Sequence, residues 1–188
     1  AKLIAKMGGN VQKGQDVIIR AGLDQPDFVR MVVEECYALG ARLVRVEWTY
    51  QPVSKVTYKK ASLKTLSKVE DWEVAKIKHR VDTLPVMIYL ESEDPDGMAG
   101  INQEKMAKSM QATYKVIKPF RDAMENKYQW CIAAVPGAAW AKKVFPGLPK
   151  GKAMEKLWES ILAASRVTED PIKAWDEHNA DLAKRCAY

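Results

Sequence analysis

The sequence predicts an α/β fold: a mostly parallel, open sheet covered by helices on both faces. Two observations predict it. Short apolar runs alternate with longer stretches of helical periodicity along the chain, the rhythm of parallel strand–helix units. The connections between apolar runs, from Ala21 to Arg42, Trp48 to Leu84 and Leu90 to Tyr128, are too long for hairpins and suit crossover helices. The layers are Rossmann-like, with no dinucleotide motif: the first strand leads into Arg20-Ala21-Gly22-Leu23-Asp24-Gln25-Pro26, which is not a glycine-rich phosphate loop.

Each element has its own warrant. Asp16 to Ala21 is a short apolar strand leaving a Lys13-Gly14 turn. Asp24 is placed to cap the next helix, with Pro26 in its first turn. Phe28, Val29, Val32, Val33, Cys36 and Leu39 recur at helical spacing, and Gly40 ends the helix. Arg42 to Trp48 alternates as a second strand, and helical stretches follow over Val53 to Leu66 and Glu70 to Val81. Leu84 to Leu90 is a third, almost wholly apolar strand. Asn102 opens a helix to Ile117, which Pro119 breaks or kinks. Tyr128 to Val135 is the fourth strand, followed by a short helix over Ala138 to Val144. The last two helices are Lys152 to Ser165 and Pro171 to about Arg185, the latter capped by Asp170.

The 188 residues suit one α/β domain, with 47% hydrophobic and 29% charged residues. No apolar run approaches the ~18–20 residues needed to span a bilayer, and no secretory pattern opens the chain, so no membrane partner is expected. Cys36, Cys131 and Cys186 are odd in number and widely spaced. They suggest neither a disulfide framework nor a zinc site, and a reducing, cytoplasmic setting. The formal net charge of +6 arises largely between Lys55 and Arg80. With few neighbouring aromatics, this stretch reads as a solvated helical surface, which makes nucleic acid an unfavoured partner.

Ligands of an open parallel sheet gather at the carboxyl ends of its strands. Those ends carry Arg20, Glu47 and the acidic run that includes Glu93, Asp94 and Asp96. The run reads first as a solvated turn, with Pro95 and Gly97 at turn positions, and second as a cation site or a hold on a substrate amine. Glu47 reads as one half of an ion pair with Arg20 or Arg45. His79 and His178 lack a metal-pair spacing, and there is no H-E-x-x-H or G-x-S-x-G motif. On its own residues the chain shows no catalytic, cofactor-binding or metal-ligating set. Trp175, Leu182 and Cys186 continue a helical stripe to Tyr188 without a stop signal, and Ala1 starts uncapped. Both features predict a chain cut from something longer.

The run from Trp130 to Pro149 carries a more specific signal. With it go Leu3-Ile4-Ala5-Lys6, Gly9 to Val17, Glu47-Trp48, Glu93 to Asp96 with Met98 to Ile101, Lys118 to Arg121, Lys156 to Glu159, and Asp170-Pro171 with Trp175 and His178. In order and spacing these segments closely resemble the N-terminal domain of M29 metallo-aminopeptidases, of the aminopeptidase T or S type. The resemblance implies a two-domain metallo-exopeptidase that releases N-terminal residues from peptides. Its paired divalent metal, zinc or cobalt, is held by a C-terminal domain that has no counterpart in these residues, so no catalytic or metal ligand is carried over. Residues 1–188 would then shape the substrate chamber beside their own C-terminal domain, in a homodimer, and be inactive alone. Arg20, Glu47, Glu93, Asp94 and Asp96 are the candidate chamber-facing edge. The alternative is a stand-alone α/β binding module whose basic surface takes nucleic acid or an acidic partner.

Overall fold

In the computed structural model, residues 1–187 are described, and they form a four-stranded parallel sheet in the order β2-β1-β3-β4. The strands are β1 (Asp16–Gly22), β2 (Leu43–Thr49), β3 (Val86–Glu91) and β4 (Trp130–Ala134). The helices are α1 (Pro26–Ala38), α2 (Gln51–Lys60), α3 (Leu63–Leu66), α4 (Asp71–Thr83), α5 (Gln103–Met124), α6 (Ala138–Val144), α7 (Lys150–Ala164) and α8 (Pro171–Cys186). A π-helical turn, Ile4–Gly8, precedes β1.

One sheet face makes the main core. Val17, Ile19 and Ala21 of β1 and Val86, Ile88 and Leu90 of β3 pack with Val29, Val32 and Cys36 of α1. Trp158 of α7 joins this cluster and meets Phe28 with ring centroids 5.1 Å apart. The alternate residues, Ile18 and Met87, are buried on the opposite face, where Arg80 and Lys76 of α4 reach Glu47 of β2. Helices therefore cover both faces. A satellite core joins α6 to α7 through Ala141, Ala153 and Leu157.

Four expectations are corrected at the element ends. Asp24 does not cap α1: Gln25 holds that position without a side-chain cap, and Asp24 instead accepts a hydrogen bond from Ser92 at 2.8 Å. Gly40 does end the helix, at φ +90°, with Gly40 N–H donating to Tyr37 O and Ala41 N–H to Cys36 O, the paired bonds of a Schellman stop. The stretch Val53 to Leu66 is two helices, because Ser62 is extended and its hydroxyl accepts from Thr65 N–H, restarting the chain as a new N-cap. Pro119 neither ends nor breaks α5, which runs on to Met124. The ring is exposed, while Phe120 is half-buried and Met124 buried on the packed side of the helix. β4 is shorter than Tyr128 to Val135. Tyr188, to which the terminal stripe extends, lies outside the described residues.

Candidate functional site

The strand order reverses direction between β1 and β3, and at that switch point a cleft of about 500 Å3 opens beyond the carboxyl ends of the strands. Its walls come from four connections. Gly22 ends β1 and Leu23 and Asp24 follow it, Thr49 to Pro52 end β2 and begin α2, Ser92 to Asp94 with Asp96 and Gly97 follow β3, and Ala138-Ala139 open α6.

Backbone approaches explain the glycines here. A Cβ on Gly22 would lie 2.8 Å from Ser92 Oγ, and one on Gly137 only 2.0 Å from the Ser92 carbonyl oxygen. The two loops therefore close on buried Ser92, which is tied to Asp24. Gln25 Nε2 donates to Pro136 O at 2.9 Å, fastening the start of α1 to the Pro136-Gly137 turn.

The acidic run is held as a turn. Gly97 N–H donates to Asp94 O at 2.9 Å, and Asp94 Oδ1 accepts from Asp96 N–H at 2.9 Å. Gln51 then grips Asp94 through both backbone groups: its Nε2 donates to Asp94 O at 3.1 Å and its Oε1 accepts from Asp94 N–H at 3.2 Å. Gly97 carries no side chain because Gln51 Oε1 occupies the place where a Cβ would sit. Asp96 is ion-paired with Lys143 of α6. Glu93 and Asp24 stand exposed at the mouth, and Lys55 of α2 lines the same cleft. The carboxylates outnumber the lysines, so the mouth favours a cationic group.

Of the sequence-selected residues, Glu93, Asp94 and Asp96 are brought together in this cleft, and Arg20 and Glu47 are not among its walls. Arg20 is opposite Glu47 in the β1–β2 register, but its guanidinium lies 6.0 Å from the Tyr89 ring centroid. Glu47 is paired instead with Lys76 at 2.7 Å and with Arg80, neither of which the sequence singled out for it. Burial raises the Glu47 carboxyl, but the hydrogen bonds from Lys76 and Arg80 outweigh it, and the group sits below the ordinary carboxylate range. Arg45, the other expected partner, joins Arg42 in holding buried Asp16 at the amino end of β1. The expected ion pair on Glu47 is thus present with different cations, supplied by a crossover helix.

Gln51, Tyr50, Ser92, Lys55 and Lys143 are site residues that the sequence reading passed over. The signal for the first two was available: Tyr50-Gln51 directly follows a strand, where loops of an open sheet line ligand clefts. Ser92 and Lys143 become legible only once β3 and α6 stand beside one another. Part of the basic stretch is internally neutralised, with Lys68 bound to Glu70 at 2.6 Å and Lys76 and Arg80 bound to Glu47.

The family model described as "Thermophilic metalloprotease (M29)" matches residues 1–188. The chain belongs to the M29 family. Among relatives, it is 34% identical over 187 residues to aminopeptidase AmpS of Bacillus subtilis, covering 98% of this chain and 46% of that protein. It is 33% identical over 190 residues to aminopeptidase T of Thermus thermophilus, covering 100% of this chain and 47% of that protein. The solved structure of wild-type AmpT from Thermus thermophilus superposes with a TM-score of 0.84 at 31% identity, over 96% of this chain and 44% of that one. The chain thus spans about half the length of the M29 relatives it matches.

M29 is a metalloprotease family, and a metal in this cleft would need donors from the side chains around it. They do not fit: among the described residues no three His, Cys, Asp or Glu side chains converge as a metal-binding group. His79 is exposed on α4, and His178 stands edge-on to Trp175 at 5.6 Å on α8, both outside the cleft walls. Among the described residues, no helix is long and apolar enough to cross a membrane.

Proposed function

We propose that residues 1–188 are the N-terminal domain of a two-domain M29 metallo-aminopeptidase that removes N-terminal residues from peptides. The observation that carries this reading is the family match over the whole chain, together with relatives about twice its length that are named as aminopeptidases. In this reading the divalent metal, zinc or cobalt, sits in the other domain, and the enzyme works as a cytoplasmic homodimer. This domain's part is to bind and orient. The cleft beyond β1 and β3 faces the substrate chamber, and Glu93 and Asp94 at its mouth attract the protonated amine of a peptide. Asp96 contributes less, since Lys143 already neutralises it.

The test compares this chain with the full-length product of its gene on a leucine arylamide, with zinc or cobalt added. Hydrolysis by the longer protein alone is the expected result, and hydrolysis by neither overturns the reading. In the full-length enzyme, Glu93→Gln with Asp94→Asn raises KM several-fold and leaves kcat nearly unchanged, because the lost charge contact to the amine is held equally in the ground state and the transition state. Unchanged KM rejects the amine-binding role of the cleft.

A further inference from the structure

The sheet has two edges, and they are built differently. β2 carries Arg45 and Glu47, the charged side chains by which edge strands resist pairing. β4 reads Trp-Cys-Ile-Ala-Ala, with no charge and no proline. Its register with β3, closed by Met87 N–H to Gln129 O at 3.0 Å and Val135 N–H to Glu91 O at 2.8 Å, turns the odd-numbered backbone groups inward. The N–H and C=O groups of Trp130, Ile132 and Ala134 therefore point outward, and among the described residues none has a hydrogen-bond partner.

Both faces beside this edge are only partly covered. On one face Trp130 and Ile132 are 58% and 60% exposed, on a strand whose neighbour β3 is largely buried. On the other, a largely apolar groove of about 520 Å3 runs along β4, walled by Ile4, Phe28, Trp158, Leu162 and Trp175. Outward donors and acceptors recurring every second residue match an extended chain and not a helix, and an added strand would place alternate side chains over the groove and beside Ile132.

We infer that the outer edge of β4 receives a β-strand from the rest of the full-length polypeptide, extending the sheet to a fifth strand. The inference rests on the proposed reading of the chain as one domain of a longer enzyme. The occupant follows from length: the M29 relatives hold roughly as much polypeptide again as this chain, tethered to it at high effective concentration. An intramolecular strand meets the edge without the association cost that a second molecule bears.

The experiment is backbone hydrogen exchange on the full-length protein, resolved at Ile132 and Ala134 and referenced to Ile88 and Leu90 of the central strand. Exchange of both edge amides within about tenfold of the β3 amides, unchanged on dilution, is the expected result. Exchange orders of magnitude faster than β3 overturns the inference. Protection that disappears as the protein is diluted assigns the edge to a second copy and also overturns it. Ile132→Pro gives an independent reading, since proline at an outward amide is tolerated on a free edge and disrupts an interior strand. A lowered unfolding temperature of the full-length variant agrees with strand addition, and an unchanged one refutes it. Arylamide hydrolysis is measured on the same wild-type sample. An active enzyme with a fast-exchanging edge loses only this inference, and an inactive protein with a protected edge loses only the proposed function.

Discussion

Gly137→Ala tests how tightly the cleft is closed. Gly137 sits at φ −90° and ψ 148°, a conformation open to any residue, so backbone preference does not require glycine there. Space does. An added methyl would fall 2.0 Å from the Ser92 carbonyl oxygen, and ordinary contact begins near 3.4 Å. The obstacle is backbone, and it belongs to a residue whose hydroxyl is already committed to Asp24. Relief therefore means parting the β3 and β4 loops. Overpacking of this kind costs about 1–3 kcal/mol, which for a chain of this size lowers the unfolding temperature by roughly 2–12 °C. The matched control is Gly151→Ala, near the start of α7, where a Cβ meets nothing within 4 Å. That change raises stability by about 0.4–1 kcal/mol, through lost freedom of the unfolded chain. Thermal unfolding followed by circular dichroism reads both. A Gly137→Ala variant melting at or above wild type would refute the claimed approach of the two loops.

Two further outcomes are expected. Glu47→Gln lowers stability at pH 7 by about 1 kcal/mol or less, because Lys76 and Glu47 both keep contact with water. The Glu47 pKa is depressed in the folded state, so its contribution is present above the unfolded value near 4.5 and is lost as pH falls through the folded one. The gap between wild type and variant in denaturant titrations therefore closes below about pH 4, and a gap that persists at pH 2 contradicts the assignment. Thiol labelling of the native chain at pH 8 modifies exposed Cys186 first. Burial, assisted by the neighbouring Glu35 charge, pushes the Cys36 thiol up to about 11, and burial also raises Cys131. Both react slowly until urea is added, and labelling of Cys36 at the rate of Cys186 would contradict its place in the core.

Much of the fold was legible in the chain because it follows from local rules. The apolar runs at Asp16, Leu43, Val86 and Trp130, the glycine stop at Gly40, and the Asn102 and Asp170 caps each depend on neighbours within a few residues. The resemblance of the Trp130 to Pro149 run likewise needed only order and spacing, and it led to the M29 family. The misreadings were also local rules, overridden by context. Asp24 is a sound cap by type, but Ser92, 68 positions away, takes its carboxylate. Proline breaks helices in general, yet Pro119 lies on the exposed side of α5, and the helix continues through it to Met124.

Tertiary structure alone decided which charges meet. Periodicity placed Glu47 on a strand, but the crossover that lays α4 across the sheet selected Lys76 and Arg80 over Arg20 and Arg45. The acidic run was visible as a sequence of carboxylates, whereas its grip by Gln51 and the neutralisation of Asp96 by Lys143 needed three separate connections at one switch point. The bare edge of β4 has the same origin. Alternation within a strand is written in the chain, but which strand ends the sheet is set by how distant segments pair, because backbone hydrogen bonding carries no residue-specific code.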